Sequence, residues 1–559
     1  MHEIEKLKTQ VLVIGGGGAG ARAALTAHLN GSAVILLSKG PVSKSGLTPM
    51  AYPSIQGAFG FEDDRDNPDV HYDDIVTGGR GLSEENLARI LADESPSRIQ
   101  ELMDFGCRFT QKDGRPLQVL HPGQTYARNF VLKPGGYAII HTLRKQLRKY
   151  EAINIIEDCI VLKLFVKDQK VSGVLAYNMR TNQPVIVEAT SVIMATGGYE
   201  AMWGMTDGAP DSTGDGLALG YEAGLKMIDL EMILYYPTVV CAKSGKGILV
   251  QYETLLRDEY AGGQLLNSEG TNLVPDGKPP TRDVLMSLMF REVEAGRGGP
   301  HGGVFIDLSK STKPKEEIEK TMSRLFSMPG NGLELQGVRL NAGPLEVAPG
   351  VHFTLGGIHI NENCETNVDG FFAAGEVSSN LHGANRISGN ALAETQVFGY
   401  RAALAADKYS KQADSGAEID QKEAGAALDG ALAFIADEAT SLRPAHIKAS
   451  IRNIMDNKVG PRRSEKSLTE AVSELKDLQQ QLSIVTVAPE KSYNYEWCEA
   501  LETRNMLTLG ILVAESGLFR PETRGHHIRT DYPETKPEWS KHTCTIKGKE
   551  LTTVDVTRL

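Results

Sequence analysis

The stretch Val11–Gly20, V-L-V-I-G-G-G-G-A-G, constrains this chain more than any other. Four β-favouring apolar residues run directly into glycines that fit G-x-G-x-x-G at Gly15, Gly17 and Gly20. An alanine-rich helical run, Ala21 to His28, follows at once. Glycines there let the backbone turn sharply and approach a pyrophosphate, whose charge then sits at a helix N-terminus. The pattern predicts a Rossmann-type βα unit that binds a dinucleotide. The second strand, Ala33 to Leu37, ends in Ser38 and Lys39 instead of the acidic residue that holds the ribose in NAD enzymes. A simple NAD dehydrogenase is therefore disfavoured.

With 559 residues the chain exceeds one core, so several domains are expected. A net charge of −12 argues against nucleic acid as the main partner. The six cysteines are scattered, with no C-x-x-C and no haem- or cluster-binding run. Electrons that travel beyond the chain's own cofactor must then be carried by another chain. The first ten residues lack the apolar core of a secretory signal, and the longest apolar runs, such as Leu509 to Ala514, are too short to span a bilayer. These features predict a soluble cytoplasmic chain without a direct membrane span, peripheral to a membrane only through partner subunits.

Pro41 to Gly60 reads as a loop, and Val161–Tyr177 with Pro184–Glu188 as a small sheet. Ser191–Gly198 is a buried strand ending in glycines, and T-G-D-G at Thr213 opens a helix through Gly224. Composition shifts from Tyr235 to Pro349, with loops, prolines and charged helices such as Lys315 to Leu325; G-F-F-A-A-G-E at Gly370 then restores the strand-plus-glycine style. Ser467 and Glu470 fit a capping box, and Trp497–Ala514 reads as a long helix stopped near Gly517. The expected architecture is an α/β Rossmann-type domain (1–235 and 350–424), split by an inserted capping domain (236–349), plus a C-terminal helical domain (425–559).

Separated motifs converge on one family: A-T-G-G at Ala195, T-G-D-G at Thr213, D-L-E-M-I-L-Y-Y-P-T at Asp229, R-D-V at Arg282, H-F-T-L-G-G-I at His352, F-F-A-A-G-E at Phe371, L-H-G-A-N-R-I-S-G-N at Leu381 and R-P-E-T-R-G-H-H-I-R-T-D-Y-P at Arg520. In this order, over nearly the whole chain, the sequence resembles the flavoprotein subunits of succinate dehydrogenase and fumarate reductase, and L-aspartate oxidase. The resemblance implies FAD. Gly15, Gly17, Gly18, Ala19 and Gly20 would cradle its pyrophosphate, with Ser38 and Lys39 near the adenosine. Ala195, Thr196 and Gly197 would approach the adenine end, Asp215 the flavin portion, and Glu376 the ribityl or ribose. Ser45, Gly46, Thr48 and Gly57 join the cofactor set, and Arg386, Asn390, Ala391 and Leu392 would reach the isoalloxazine. Respiratory members often attach FAD through a histidine after the second strand. Here K-S-G-L-T stands at 44–48 and no histidine lies between His28 and His71, so non-covalent FAD is expected. An unalkylated ring has the lower potential, which leans toward alkene reduction.

The resemblance also implies a carboxylate substrate and an iron–sulfur partner subunit for electron transfer. His352 and Arg386 would grip substrate carboxylates, and Arg282 would deliver a proton to carbon, reprotonated by a relay. In the family T-E-x-x-R supplies that relay; here Q-Y-E-T-L-L-R places Glu253 and Arg257 four apart. Tyr236 stands where the family places a carboxylate-binding histidine. A phenol carries no positive charge near neutral pH, so the substrate is fumarate/succinate with one carboxylate held differently, or a related 2-enoate such as an aryl acrylate. The alternatives are L-aspartate oxidase and a non-catalytic electron-transfer flavoprotein. His526 and His527 read as packing beside Arg524 and Arg529.

Overall fold

The computed structural model describes residues 4–243, 245–325, 343–413, 418–490 and 492–559. Its centre is a seven-stranded sheet. β1 (Glu5–Ile14), α1 (Gly18–Leu29) and β2 (Val34–Leu37) form the predicted βα unit. β1 pairs in parallel with β2 on one side and on the other with a 12-residue strand, β3 (Gln183–Met194). Val11 to Leu12 in β1 and Leu36 to Leu37 in β2 are fully buried, as expected for parallel strands covered on both faces.

β3 explains one departure from the sequence reading. The segments Pro184–Glu188 and Ser191–Met194 are one continuous strand, so no separate small sheet forms. Its first half pairs antiparallel with Lys170–Asn178, which in turn pairs with Cys159–Lys167. Its last three residues pair in parallel with Phe371–Ala373. The chain thus leaves the sheet after Met194 and rejoins it nearly 180 residues later, next to the strand it left.

Between these points lies a four-stranded antiparallel sheet of Ile233–Val240, Leu345–Thr354, Val304–Asp307 and Gln264–Leu266. Its two longest strands run through the boundaries expected near residues 235 and 349. The helix Lys315–Leu325 forms where predicted, and residues 326–342 of the expected capping segment lie outside the described residues.

Four helices, Gln421–Leu432, Pro444–Lys458, Glu465–Leu482 and Tyr495–Phe519, lead the C-terminal part, which ends in the antiparallel strands Lys541–Thr545 and Thr552–Asp555. The third starts one turn earlier than predicted. Its N-cap is Ser464, which accepts from Ser467 N (3.1 Å), while Ser467 Oγ accepts from Ser464 N (3.0 Å). Glu470 instead pairs with Lys458 (2.9 Å). The fourth helix continues through Gly517 to Phe519, because Gly517 is buried against Leu468 and ends nothing.

A buried charge cluster ties this region to the rest. Arg520, at the end of the last helix, donates to Glu231 (2.6 Å), Glu522 (3.0 Å) and Asp229 (3.1 Å). His542 bridges Asp229 and Glu84 (3.2 Å to Glu84). Burial alone would discharge His542, but Asp229 and Glu84 outweigh it and raise its pKa to about 9. A raised histidine pKa stabilises the fold fully below the unfolded value, 6.5, and the contribution fades as pH climbs through about 9. Thermal melts should therefore show a wild-type midpoint that falls between about pH 6.5 and 9. That slope should flatten in His542→Gln; an equal slope in both proteins would assign it elsewhere.

Candidate active site

One cavity of about 900 Å³ connects the glycine turn to a group of charged side chains nearly 270 residues further on. At the first end, Gly15 has φ +114°, and a Cβ there would lie 2.2 Å from Ala195 O. Gly20 is off the cavity wall: its Cβ would sit 1.9 Å from Gly15 O, so it serves close packing of α1 on the turn. Gly17 is the N-cap of α1 and makes no side-chain cap bond, and the first turn holds no acid. Gly16 to Ala19 line the cavity, with Gly18 N held by Thr48 Oγ1 (2.9 Å). The result is a helix N-terminus open to an anion.

The end of β2 is fixed by charge. Lys39 Nζ donates to Asp215 (2.7 Å), Glu502 (2.9 Å), Thr213 Oγ1 (3.0 Å) and Asp211 O (3.1 Å). Burial opposes the Lys39 charge, but the two acids outweigh it and raise its pKa. Asp215, expected near the flavin portion, and Lys39, expected near the adenosine, thus stand side by side at one end of the cavity.

Ser38, Ser45, Gly46, Thr48, Ala195, Thr196, Gly197, Ala391 and Leu392 also line the cavity. Besides Gly20, two expected cofactor residues do not. Gly57 packs beneath it, with its Cβ position 2.6 Å from Ile99. Asn390 is buried behind the wall, with Oδ1 3.0 Å from His71 Nε2. Glu376 does line the cavity and accepts from Thr354 N (2.9 Å). Burial and the neighbouring Glu200, which the sequence reading passed over, push its carboxyl well above the usual range.

At the far end, Arg282 opens the helix Arg282–Glu292 and donates to Glu253 Oε1 (3.1 Å). Tyr236, on the strand Ile233–Val240, donates its phenol proton to the other Glu253 oxygen. The Arg282 guanidinium also lies 4.8 Å over the Tyr236 ring. Burial would raise the Glu253 carboxyl, but Arg282, His121 and the Tyr236 hydroxyl together hold it below its ordinary value. Burial and the Glu253 charge keep the Tyr236 phenol protonated, its pKa well above 10. Arg257 takes no part here. The helix bearing Glu253 ends at Leu255, so the two residues share no helical face, and Arg257 pairs with Glu259 (3.2 Å) off the cavity.

His352 and Arg386 complete this end. His352 Nδ1 lies 2.8 and 3.1 Å from the two oxygens of Asp207, a residue not anticipated from the sequence. Arg386 stacks 4.5 Å over Phe353, and its buried Nε has no hydrogen-bond partner among the described residues. Burial and the like charge of Arg282 lower its pKa to about 9, so it remains a cation at neutral pH. His526 and His527 are fully buried elsewhere, against Asn385 (3.0 Å) and Arg463 (2.9 Å).

A model of the FAD-binding domain matches residues 10–392, and one of the fumarate reductase flavoprotein C-terminus matches 448–558. The chain belongs to the succinate dehydrogenase/fumarate reductase flavoprotein family. It is 37% identical to one of the subunits of the CoM/CoB fumarate reductase of Methanothermobacter marburgensis, over 96% of this chain and 97% of that one. It is 31% identical to the fumarate reductase flavoprotein subunit of Mycobacterium tuberculosis, covering 94% of this chain and 93% of that one. The quinol fumarate reductase flavoprotein structure from E. coli superposes with a TM-score of 0.91 at 26% identity, covering 100% and 98%. The chain is thus an FAD-dependent, fumarate reductase-like oxidoreductase.

FAD fits the geometry of this cavity. Beyond the uncapped helix, the buried Thr196 Oγ1 at the cavity wall has no hydrogen-bond partner among the described residues. Gly197, at φ +77°, has nothing within 4 Å of its Cβ position, leaving backbone open to a ligand. No group of three or more metal-ligating side chains occurs among the described residues, and no helix there is long and apolar enough to cross a membrane.

Proposed function

We propose that this chain is the catalytic flavoprotein subunit that reduces fumarate, or a related 2-enoate, to its saturated acid. The Arg282–Glu253 pair facing the end of the cavity carries this reading. When bound, reduced FAD supplies the hydride that attacks one alkene carbon. His352 and Arg386 hold the carboxylate toward which negative charge moves, so they bind the transition state more tightly than the substrate. Arg386, whose buried Nε is unpartnered among the described residues, is suited to this role, because a planar guanidinium matches a carboxylate bidentately.

Arg282 delivers a proton to the other carbon. A guanidinium is a poor acid in water, with a free pKa above about 12. Inside this site the Glu253 carboxylate touches the same guanidinium and lines the cavity, so it takes up a proton from solvent and passes it to Arg282, and no neutral arginine persists. Tyr236 anchors the second Glu253 oxygen and keeps the carboxylate in place. Its hydroxyl is thereby committed to Glu253 and withheld from substrate. That observation favours a second reading, in which the enoate bears a single carboxylate and an apolar or aromatic far end.

Non-covalent attachment of FAD belongs to the same reading. His352 is the sole histidine lining the cavity among the described residues, and its Nδ1 is engaged by Asp207. The loop Ser45–Thr48 offers the ring no imidazole. The expected partner is an iron–sulfur subunit, since the M. marburgensis relative is itself one subunit of its fumarate reductase and the scattered thiols gather into no cluster-ligating group among the described residues. We also read 1–235 with 350–424 as the FAD-binding domain, 236–349 as the cap and 425–559 as the helical domain.

Two measurements test these points. Acid precipitation should leave yellow FAD in the supernatant; colour kept by the pellet would contradict non-covalent binding. In a dye-coupled fumarate assay, Arg282→Ala should lose roughly 10²–10⁴-fold in kcat, the range of a proton-transfer group, while keeping its flavin absorbance. A loss of under about tenfold with flavin intact would remove Arg282 from proton delivery.

A further inference from the structure

His352 meets the cavity with one edge of its ring already taken. A carboxylate can only accept, so the Nδ1 that lies 2.8 Å from Asp207 carries the proton, leaving Nε2 as the edge for a ligand. Backbone holds this arrangement. Asp207 N donates to Val351 O (3.2 Å), and Thr206 Oγ1 donates to the same oxygen (2.8 Å), so the Asp207 loop is fastened to the strand that bears His352. Both side chains line the cavity and are 10% and 19% exposed.

With Nδ1 donating, a neutral His352 presents a lone pair at Nε2, which repels a carboxylate. Burial lowers the His352 pKa, Asp207 opposes this, and the charges of Arg282 and Arg386 reinforce it, leaving the group below its ordinary value. The Tyr236 ring also faces it, 5.2 Å away, while His526, buried against Asn385, is neutral. The imidazole must therefore gain a proton before it can grip an anion.

We propose that Asp207 and His352 form a proton-uptake clamp: binding of a substrate carboxylate draws one proton from solvent onto His352 Nε2, and Asp207 stabilises the imidazolium. One N–H bond forms, one proton leaves bulk water, and no electrons move. His352 touches the ligand; Asp207 is a positioning residue that sets where on the pH scale the clamp works. The inference rests on the reading of this cavity end as a carboxylate site.

The test is titration calorimetry of the oxidised, FAD-loaded protein, in which no reductant is present and fumarate or cinnamate binds without turnover. Enthalpies in phosphate and in Tris at about pH 8 should differ by the equivalent of about one proton taken up per ligand. Kd should rise about tenfold per pH unit above the His352 pKa. Asp207→Asn keeps the hydrogen bond but removes the charge. It should raise Kd by about tenfold or more and start the rise at lower pH, with Asp207→Glu restoring much of both. Binding without proton uptake would overturn the clamp alone, as would an Asp207→Asn protein with unchanged Kd and pH profile. Failure of both acids to bind would overturn the carboxylate reading and the clamp with it.

Discussion

Glu253 is the group around which the charged end of the cavity is arranged. It is 1% exposed, yet charged, because Arg282 and the Tyr236 hydroxyl each satisfy one of its oxygens. Removing one member of a buried pair leaves an uncompensated charge and typically costs about 3–5 kcal/mol. The three residues come from a strand, a short helix and the start of a longer helix, so the pairing also fixes how these elements meet. An arginine so held remains a cation; in the proposed reaction it gives a proton, and the neighbouring carboxylate relays the replacement from solvent.

The opposite end of the cavity follows a different physical logic. There the backbone does the work, through a glycine turn and a helix N-terminus without a cap. Lys39 is used structurally, tying the end of the second strand to Asp215 and, through Glu502, to the last long helix. The last long helix therefore braces the glycine end of the cavity through Lys39 without lining it. The seven-stranded sheet joins both ends, because Phe371–Ala373 returns to pair beside Met194 and brings Glu376 and Arg386 to the cavity.

Much of this is legible from local pattern. The βα unit, the return strand at Phe371 and the helix after T-G-D-G each declare themselves within about ten residues, by apolar runs and glycines. Arg282, His352, Arg386 and Tyr236 are recognisable from motifs, and the structure gathers them at one cavity end. The misses share a cause: partners far apart in sequence. Asp207 meets His352 across 145 positions, and Glu502 meets Lys39 across 463, so no spacing rule reveals them. Helical spacing draws Arg257 toward the relay, but the helix stops at Leu255. The Ser-x-x-Glu pattern passes over Ser464 as a cap, because its partner is a serine.

The central claim is that electrons on the flavin leave to an enoate at the Arg282 end of the cavity. Anaerobic stopped-flow reoxidation of the dye-free, reduced flavoprotein tests it most directly, with fumarate, an aryl acrylate and L-aspartate mixed in separately. The account predicts reoxidation by fumarate or the aryl acrylate, one equivalent per flavin, and slow reoxidation in Arg282→Ala. Flavin that stays reduced with both enoates yet is reoxidised by oxygen, and is reduced from the oxidised state by L-aspartate, would contradict it.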